Sequence, residues 1–127
     1  MRRLIIEGTK KTPAIDFNQE NLELKISGRS LLEDTKTFYQ PIFDWIEGIY
    51  KQREIGWTLI VNLEYFNTAS SKMILNLLIL LGDIHSDGAH FIKVIWNYDP
   101  DDEDMQEAGL EYSDLVDIPF QIVPLKR

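Results

Sequence analysis

Residues 63–85, "LEYFNTASSKMILNLLILLGDIH", pass from a run of β-formers into a nearly continuous apolar helical pattern. The passage goes through four small residues, Thr68-Ala69-Ser70-Ser71. At about 100° per residue, Met73, Ile74, Leu77, Leu78, Leu81 and Ile84 share one broad face, which must lie on a sheet. Leu75 and Ile79 fall on the other side, with Lys72, Asn76 and Asp83. Extending the helix back by one turn adds Thr68 to that outer side, giving the stripe Thr68, Lys72, Leu75, Ile79 at spacing i, i+4, i+7, i+11.

Working outward, "WTLIVNLEYF" reads as a central strand feeding a helix from about Ala69 to His85. Gly88 breaks the chain, "HFIKVIWNY" is a strand, and "DPDDEDMQEAGLEYSDL" opens with acids as a helix N-terminus favours. "IPFQIV" closes as a strand. On the other side, "DTKTFYQPIFDWIEGIYKQR" places Phe38, Ile42, Trp45, Ile46 and Ile49 at helical spacing. Pro41 fits there only in the first turn or at a kink. "RLIIEG" is a short strand and "TKKTP" a turn; "AIDF" and "LELKIS" form a hairpin around "NQEN", closed by Gly28. Strands alternating with helices predict a layered α/β fold: one domain over 1–127, a mixed β-sheet with parallel crossovers and about three helices.

Composition narrows the function. The chain has 127 residues, 44% hydrophobic and 27% charged, enough for one ordinary core. It has no cysteine, so disulfides, thiolate metal sites and thiol nucleophiles are excluded together. The formal net charge of −8, with no visible basic cluster, disfavours nucleic acid as a partner. "MRRLIIEGTKK" lacks the apolar run of a signal peptide, and "MILNLLILLG" is too short for a membrane span, so a cytoplasmic protein is expected.

The hydroxyls at the helix mouth have an ordinary reading: Asn67 or Thr68 is an N-cap, worth about 1 kcal/mol. A nucleophilic Thr or Ser would need a positioned base. The histidines are His85 and His90, and a helix running from Thr68 to His85 holds them roughly 25 Å apart. Hydrolase chemistry through that pair is excluded. The acid run after Asp99 lacks the alternating ligands and central glycine of an EF-hand loop. Asp83, His85, Asp87 and His90 suit zinc by type, but a histidine capping carbonyls at a helix end is the simpler reading. Trp45, Trp57 and Trp96 read as packing, and there is no Gly-rich phosphate loop. No catalytic residue, metal or cofactor is assigned.

A hydroxyl at a helix mouth can also accept a phosphate, and the helix's own field tolerates the anion. The outer stripe then gains meaning. Leu75 and Ile79 would each gain roughly 1.5–3 kcal/mol from a covering partner, and an added charge of about −1.5 to −2 beside them would spoil that surface. Two readings stand side by side: a docking face with a switch at its upper end, or two aliphatic residues that are merely exposed or covered by another segment.

A strand ending in an apolar pair, then a short polar residue, a hydroxyl, small residues and an apolar helix resembles the STAS domain of anti-sigma-factor antagonists. That domain carries Asp-Ser-Ser-Gly at this turn, with the Ser after the Asp phosphorylated. "FNTASSK" sets Asn67 at the Asp and Thr68 at that Ser. The chain is more similar still to the SiaC family of bacterial regulatory phosphoproteins, which are STAS-like. "GTKKTPAI", "FDWIEGIY", "LEYFNTASSKMILNLLILL" and "IKVIWNYD" carry that likeness over nearly the whole length. The resemblance implies a non-enzymatic protein phosphorylated on Thr68. Its implied partners are a serine/threonine kinase of histidine-kinase-like fold, a PP2C-type phosphatase, and a diguanylate cyclase activated by the unphosphorylated form, with cyclic di-GMP and biofilm formation downstream. The implied partner-binding set is Asn67, Thr68, Ser70, Ser71, Lys72, Leu75 and Ile79. Asn in place of Asp and the missing Gly set the chain apart from the usual STAS pattern and put the alternative, an anti-sigma-factor antagonist, second. A small metal-dependent enzyme is third.

Overall fold

The computed structural model describes residues 3–50, 56–87 and 90–126. Six strands and three helices follow one another as β1 (Arg3–Ile6), β2 (Ala14–Asn18), β3 (Glu23–Ser30), α1 (Thr35–Tyr50), β4 (Gly56–Phe66), α2 (Thr68–His85), β5 (Phe91–Tyr98), α3 (Glu103–Leu115) and β6 (Phe120–Pro124). The strands lie in the sheet in chain order, β1 to β6. β1 and β2, and β2 and β3, pair antiparallel, whereas β3 through β6 run parallel. The expected mixed α/β sheet with parallel crossovers and three helices is what forms.

Chain order decides the layering. Each of the three crossovers steps to the next strand in the same direction, and parallel crossovers are right-handed. All three helices must therefore cover the same face. Burial follows: Ile15, Phe17, Leu24, Ile26, Leu59, Val61, Val94 and Trp96 point under the helices and are buried. The alternate residues form an uncovered row in which Ile5, Asp16, Lys25, Ile60, Ile95 and Gln121 are successive partners across all six strands. A strand that is buried on one face only reads as alternation, which is why β2, β3 and β5 were legible.

The helices meet the sheet through the residues their period selects. α2 buries Ile74, Leu77, Leu78, Leu81 and Ile84, with Met73 partly covered. α1 buries Tyr39, Ile42, Trp45, Ile46 and Ile49. The expected Phe38 packs against the core but is only partly buried; Tyr39 is the fully buried ring, and its hydroxyl lies 2.8 Å from the buried Ser30 Oγ. Pro41 lies in the second turn of α1, not the first. Thr37, whose carbonyl loses its helical donor there, is exposed, so water can serve it. α3 packs through Met105, Gly109 and Tyr112. A Cβ on Gly109 would stand 2.5 Å from Trp96 Cδ1, so only glycine lets the helix sit on that ring. Trp96 Nε1 donates to the Met105 carbonyl at 3.0 Å across the same contact. Gly88 lies outside the described residues.

The parallel strands all end at one edge of the sheet. The helix N-termini, the β4–α2 junction and the β1–β2 loop gather there, since β1 runs parallel to β3 and β2 returns from that edge.

Candidate functional site

The β4–α2 junction is built on Asn67. Its Oδ1 accepts the Ser70 N–H at 2.8 Å, which makes it the N-cap of α2. Its Nδ2 donates to the Leu32 carbonyl at 2.8 Å, and its backbone N–H donates to Ser30 O at 3.0 Å. Its own carbonyl takes the Ser71 N–H at 2.9 Å. The turn is thus fixed to the end of β3 by an amide that must both accept and donate. A carboxylate could cap the helix equally well but could not donate to Leu32 O. This gives Asn at the position of the STAS Asp a physical reason.

With Asn67 as cap, Thr68 is the first helical residue and is exposed. Among the described residues no hydrogen bond is seen for its hydroxyl. Ser70, two residues on, points the opposite way. It is 0% exposed, and its Oγ accepts from Ser30 Oγ at 2.7 Å and donates to Ser30 O at 3.0 Å. With Ser30 Oγ donating there, the Tyr39 hydroxyl must supply the proton of the Tyr39–Ser30 bond. Burial raises the Tyr39 hydroxyl above its ordinary value. The expectation that Ser70 belongs to a partner-facing set is corrected: its side chain closes the core under the turn. Ser71 is half-buried and donates to the Thr68 carbonyl at 2.7 Å.

The outer stripe of α2 continues from Thr68 through the exposed Lys72. Leu75 is half-buried, and Ile79 is 44% exposed. Both line a furrow between α2 and α3. Its upper part runs past Phe66, Ser71, Leu75 and Tyr112, and its lower part past Ile79, Ser86 and Val116, with Leu115 common to both. Tyr112 fixes the upper wall by donating its hydroxyl to the Ser71 carbonyl at 2.9 Å. Burial pushes that hydroxyl up to about 12. The reading in which another segment covers the stripe is therefore half right. α3 takes the flank of Leu75 and leaves Ile79 open.

Reading the sequence missed the opposite wall. Leu115 is 63% exposed. The signal was present, because it lies off the Met105, Gly109, Tyr112 line that α3 buries; Leu110, 49% exposed, lies on another side of α3, away from the furrow. Exposed apolar residues along two adjacent helices form a surface suited to a partner.

The other candidates have local duties. His85 Nδ1 accepts the Ile92 N–H at 3.0 Å. His90 Nε2 donates to Tyr50 O, the last residue of α1, at 2.6 Å, while Nδ1 lies 2.9 Å from Asp87 Oδ2. Here a histidine does cap a helix-end carbonyl. Asp102 caps α3 by accepting the Met105 N–H at 3.0 Å, and Asp99 Oδ1 accepts the Asp101 N–H at 2.9 Å. Among the described residues no group of three or more His, Asp or Glu is placed to hold a metal ion. No helix among them is long and apolar enough to cross a membrane.

The family described as "SiaC family regulatory phosphoprotein" matches residues 6–125. An uncharacterised protein of Pseudomonas aeruginosa strain UCBPP-PA14 is 30% identical over 122 residues, 96% of either chain. The crystal structure of apo-SiaC from P. aeruginosa superposes with a TM-score of 0.89 at 29% identity, over 97% of this chain and 99% of that one. SiaC in the crystal structure of the diguanylate cyclase SiaD in complex with its activator SiaC, also from P. aeruginosa, gives 0.90 at 30% identity, over 96% and 99%.

Proposed function

This chain belongs to the SiaC family of regulatory phosphoproteins, and from that premise we propose that it is a cytoplasmic, non-enzymatic activator of a diguanylate cyclase, switched off by phosphorylation of Thr68. A kinase of histidine-kinase-like fold adds the phosphate and a PP2C-type phosphatase removes it. In the unphosphorylated state the cyclase docks on Thr68, Ser71, Lys72, Leu75 and Ile79 and on the α3 wall at Leu115. Asn67 holds the turn in place. The P. aeruginosa relative, described as the activator in its complex with the cyclase SiaD, supports the choice of target.

One observation carries the reading. Thr68 is the residue at this turn whose side chain the fold does not use. The cap is Asn67, the core hydroxyl is Ser70, and Ser71 bonds back to the helix. Phosphate on Thr68 adds about −1.5 to −2 charges at a point where no native hydrogen bond is disturbed. Its charge would fall beside the aliphatic residues Leu75 and Leu115 of the furrow, where desolvation on docking makes it costly. The fold stays and the complex is lost.

The test uses purified chain and the diguanylate cyclase of its own cells. Thr68→Ala is expected to bind and activate like wild type and to resist phosphorylation. Thr68→Asp and Thr68→Glu are expected to bind at least several-fold more weakly with an unchanged melting temperature. If both acidic variants activate the cyclase fully, and so does stoichiometrically phosphorylated protein, the switch is not at Thr68.

A further inference from the structure

We infer that the ring of Tyr65 is an anchor of the target-binding surface, seated in an apolar pocket of the cyclase when the two proteins dock. This rests on the docking site proposed around Thr68 and adds a residue that decides the strength of that contact.

A bulge in β4 puts Tyr65 where it is. Trp57, Leu59, Val61 and Leu63 alternate under the helices and are buried. The same period would carry Tyr65 inward and turn Phe66 out. Leu63 pairs with Gly28, but Tyr65 pairs with Arg29 and Phe66 with Ser30, so Glu64 is an extra residue without a partner on β3. Opposite the break, Gly28 stands at φ +93°, a conformation that favours glycine. A bulge re-aims the side chains that follow it. Phe66 turns in against Trp96 and Tyr112, with ring centroids 6.3 Å from each. Tyr65 turns out on the side of the exposed Arg29 and is 53% exposed.

The fold makes no use of the ring there. Among the described residues no hydrogen bond holds the Tyr65 hydroxyl and no aromatic ring meets its own. Packing Phe66 asks only that residue 65 face out, and the exposed Asn62 and Glu64 of the same strand show that polar side chains suffice for that.

Its position ties Tyr65 to the docking face. With Phe66, Met105 and Ala108 it lines a recess between the end of β4 and the start of α3, together with the carboxylates of Glu64, Asp102 and Asp104. Phe66 and Ala108 also line the upper furrow that holds Leu75 and Leu115, so recess and furrow share a wall. Tyr65 is three residues from Thr68, at most about 11 Å along the chain. Thr68 stands roughly 17 Å from Ile79 along α2. A standard interface covers about 800 Å² per partner, a patch roughly 32 Å across. A body of that size reaching from Ile79 past Thr68 also covers Tyr65, so the occupant is the cyclase that docks on Thr68. Binding energy concentrates in such buried tyrosines, which bring a large apolar area and only two torsions to order.

The experiment compares Tyr65→Ala, Tyr65→Phe and Phe91→Ala for binding to the purified cyclase at low and high ionic strength. Thermal melting by circular dichroism checks the fold. Phe91 is 54% exposed, much as Tyr65 is, but begins β5 at the opposite edge of the sheet. Tyr65→Ala is expected to bind about tenfold or more weakly, by the same factor at both ionic strengths and with an unchanged melting temperature. Tyr65→Phe and Phe91→Ala are expected to stay close to wild type. Full binding by Tyr65→Ala, or equal losses in Tyr65→Ala and Phe91→Ala, overturns the inference. A loss confined to low salt does the same, because it assigns the contact to Glu64, Asp102 and Asp104. So does Tyr65→Phe falling as far as Tyr65→Ala, or a lower melting temperature, which would show that the ring serves the fold. In each of these cases Thr68→Glu still separates the chain from the cyclase, and the Thr68 site stands. Failure of wild-type protein to bind the cyclase overturns the underlying reading and this inference with it.

Discussion

The two sides of α2 share one backbone and one sequence but are made for different things. The inner side presents Ser70, Ile74, Leu77, Leu78, Leu81 and Ile84, all buried. The outer side presents Thr68, Lys72, Leu75 and Ile79, which range from half-buried to exposed. Both carry hydroxyls at the top and aliphatics below, so composition does not separate them; position against the sheet does. Leu78 and Ile79 put the contrast on neighbouring residues. Leu78 is 0% exposed and packs under the helix layer, so Leu78→Ala is expected to cost about 2–5 kcal/mol in a denaturant titration. Ile79 is 44% exposed, and Ile79→Ala is expected to cost less than about 1 kcal/mol while weakening cyclase binding. If the two variants destabilise equally, the outer side is core after all.

The hydroxyls sharpen the same contrast at smaller scale. Ser70→Ala removes the acceptor of Ser30 Oγ and a donor to Ser30 O inside the protein. Ser30 O keeps the Asn67 N–H and Ser30 Oγ keeps the Tyr39 hydroxyl, but one buried hydroxyl proton loses its acceptor, which is expected to cost about 1–3 kcal/mol. Thr68→Ala touches no native hydrogen bond among the described residues and is expected to shift stability by less than about 0.5 kcal/mol. Urea titrations of the two variants side by side read the difference. A Thr68→Ala loss equal to that of Ser70→Ala would mean that the threonine serves the fold, and the modification reading would lose its main support.

How much of this was legible follows from the range of the interactions. The helical period alone separates Ile74, Leu77, Leu78, Leu81 and Ile84 from Leu75 and Ile79, because which side a residue takes depends only on its neighbours. Strand alternation likewise gives the sheet, and capping chemistry gives the junction to within one residue, Asn67 rather than Thr68. The misplaced residues are those whose surroundings come from far along the chain. Ser70 is buried against Ser30, forty residues earlier, and the same serine bonds Tyr39, whose full burial beside the partly buried Phe38 the helical period did not single out. Of the two places open to Pro41, the first turn or a kink, the first is ruled out by its position in the second turn; a local rule weighs the lost hydrogen bond without knowing which side of the helix faces water. The furrow was half seen because its second wall, Leu115, belongs to another helix. The placing of "GTKKTP" beside Asn67 depends on the Lys11–Leu31 bond, which no spacing in the sequence announces.

A smaller loss than that of Ser70→Ala lies at the seam between the two sides, where Tyr112 of α3 ties its hydroxyl to the Ser71 carbonyl. Tyr112→Phe keeps the ring against Phe66 and Trp96 and removes one partly buried hydrogen bond, which is expected to cost about 0.5–1.5 kcal/mol. The sign of its pH dependence is fixed by the shift. Burial raises the folded-state hydroxyl from 10.0 to about 12, so unfolded chains release the proton first. The contribution is fully present below pH 10.0 and is lost as pH climbs towards about 12. Tyr39 is raised by burial as well, so the wild type should lose stability in that window and Tyr112→Phe should lose less of it. Denaturant titrations at neutral pH and across that alkaline window measure both quantities. Parallel pH curves for the two proteins would show that the Tyr112 hydroxyl is solvated in solution, and that α3 is not tied to the turn that carries Thr68.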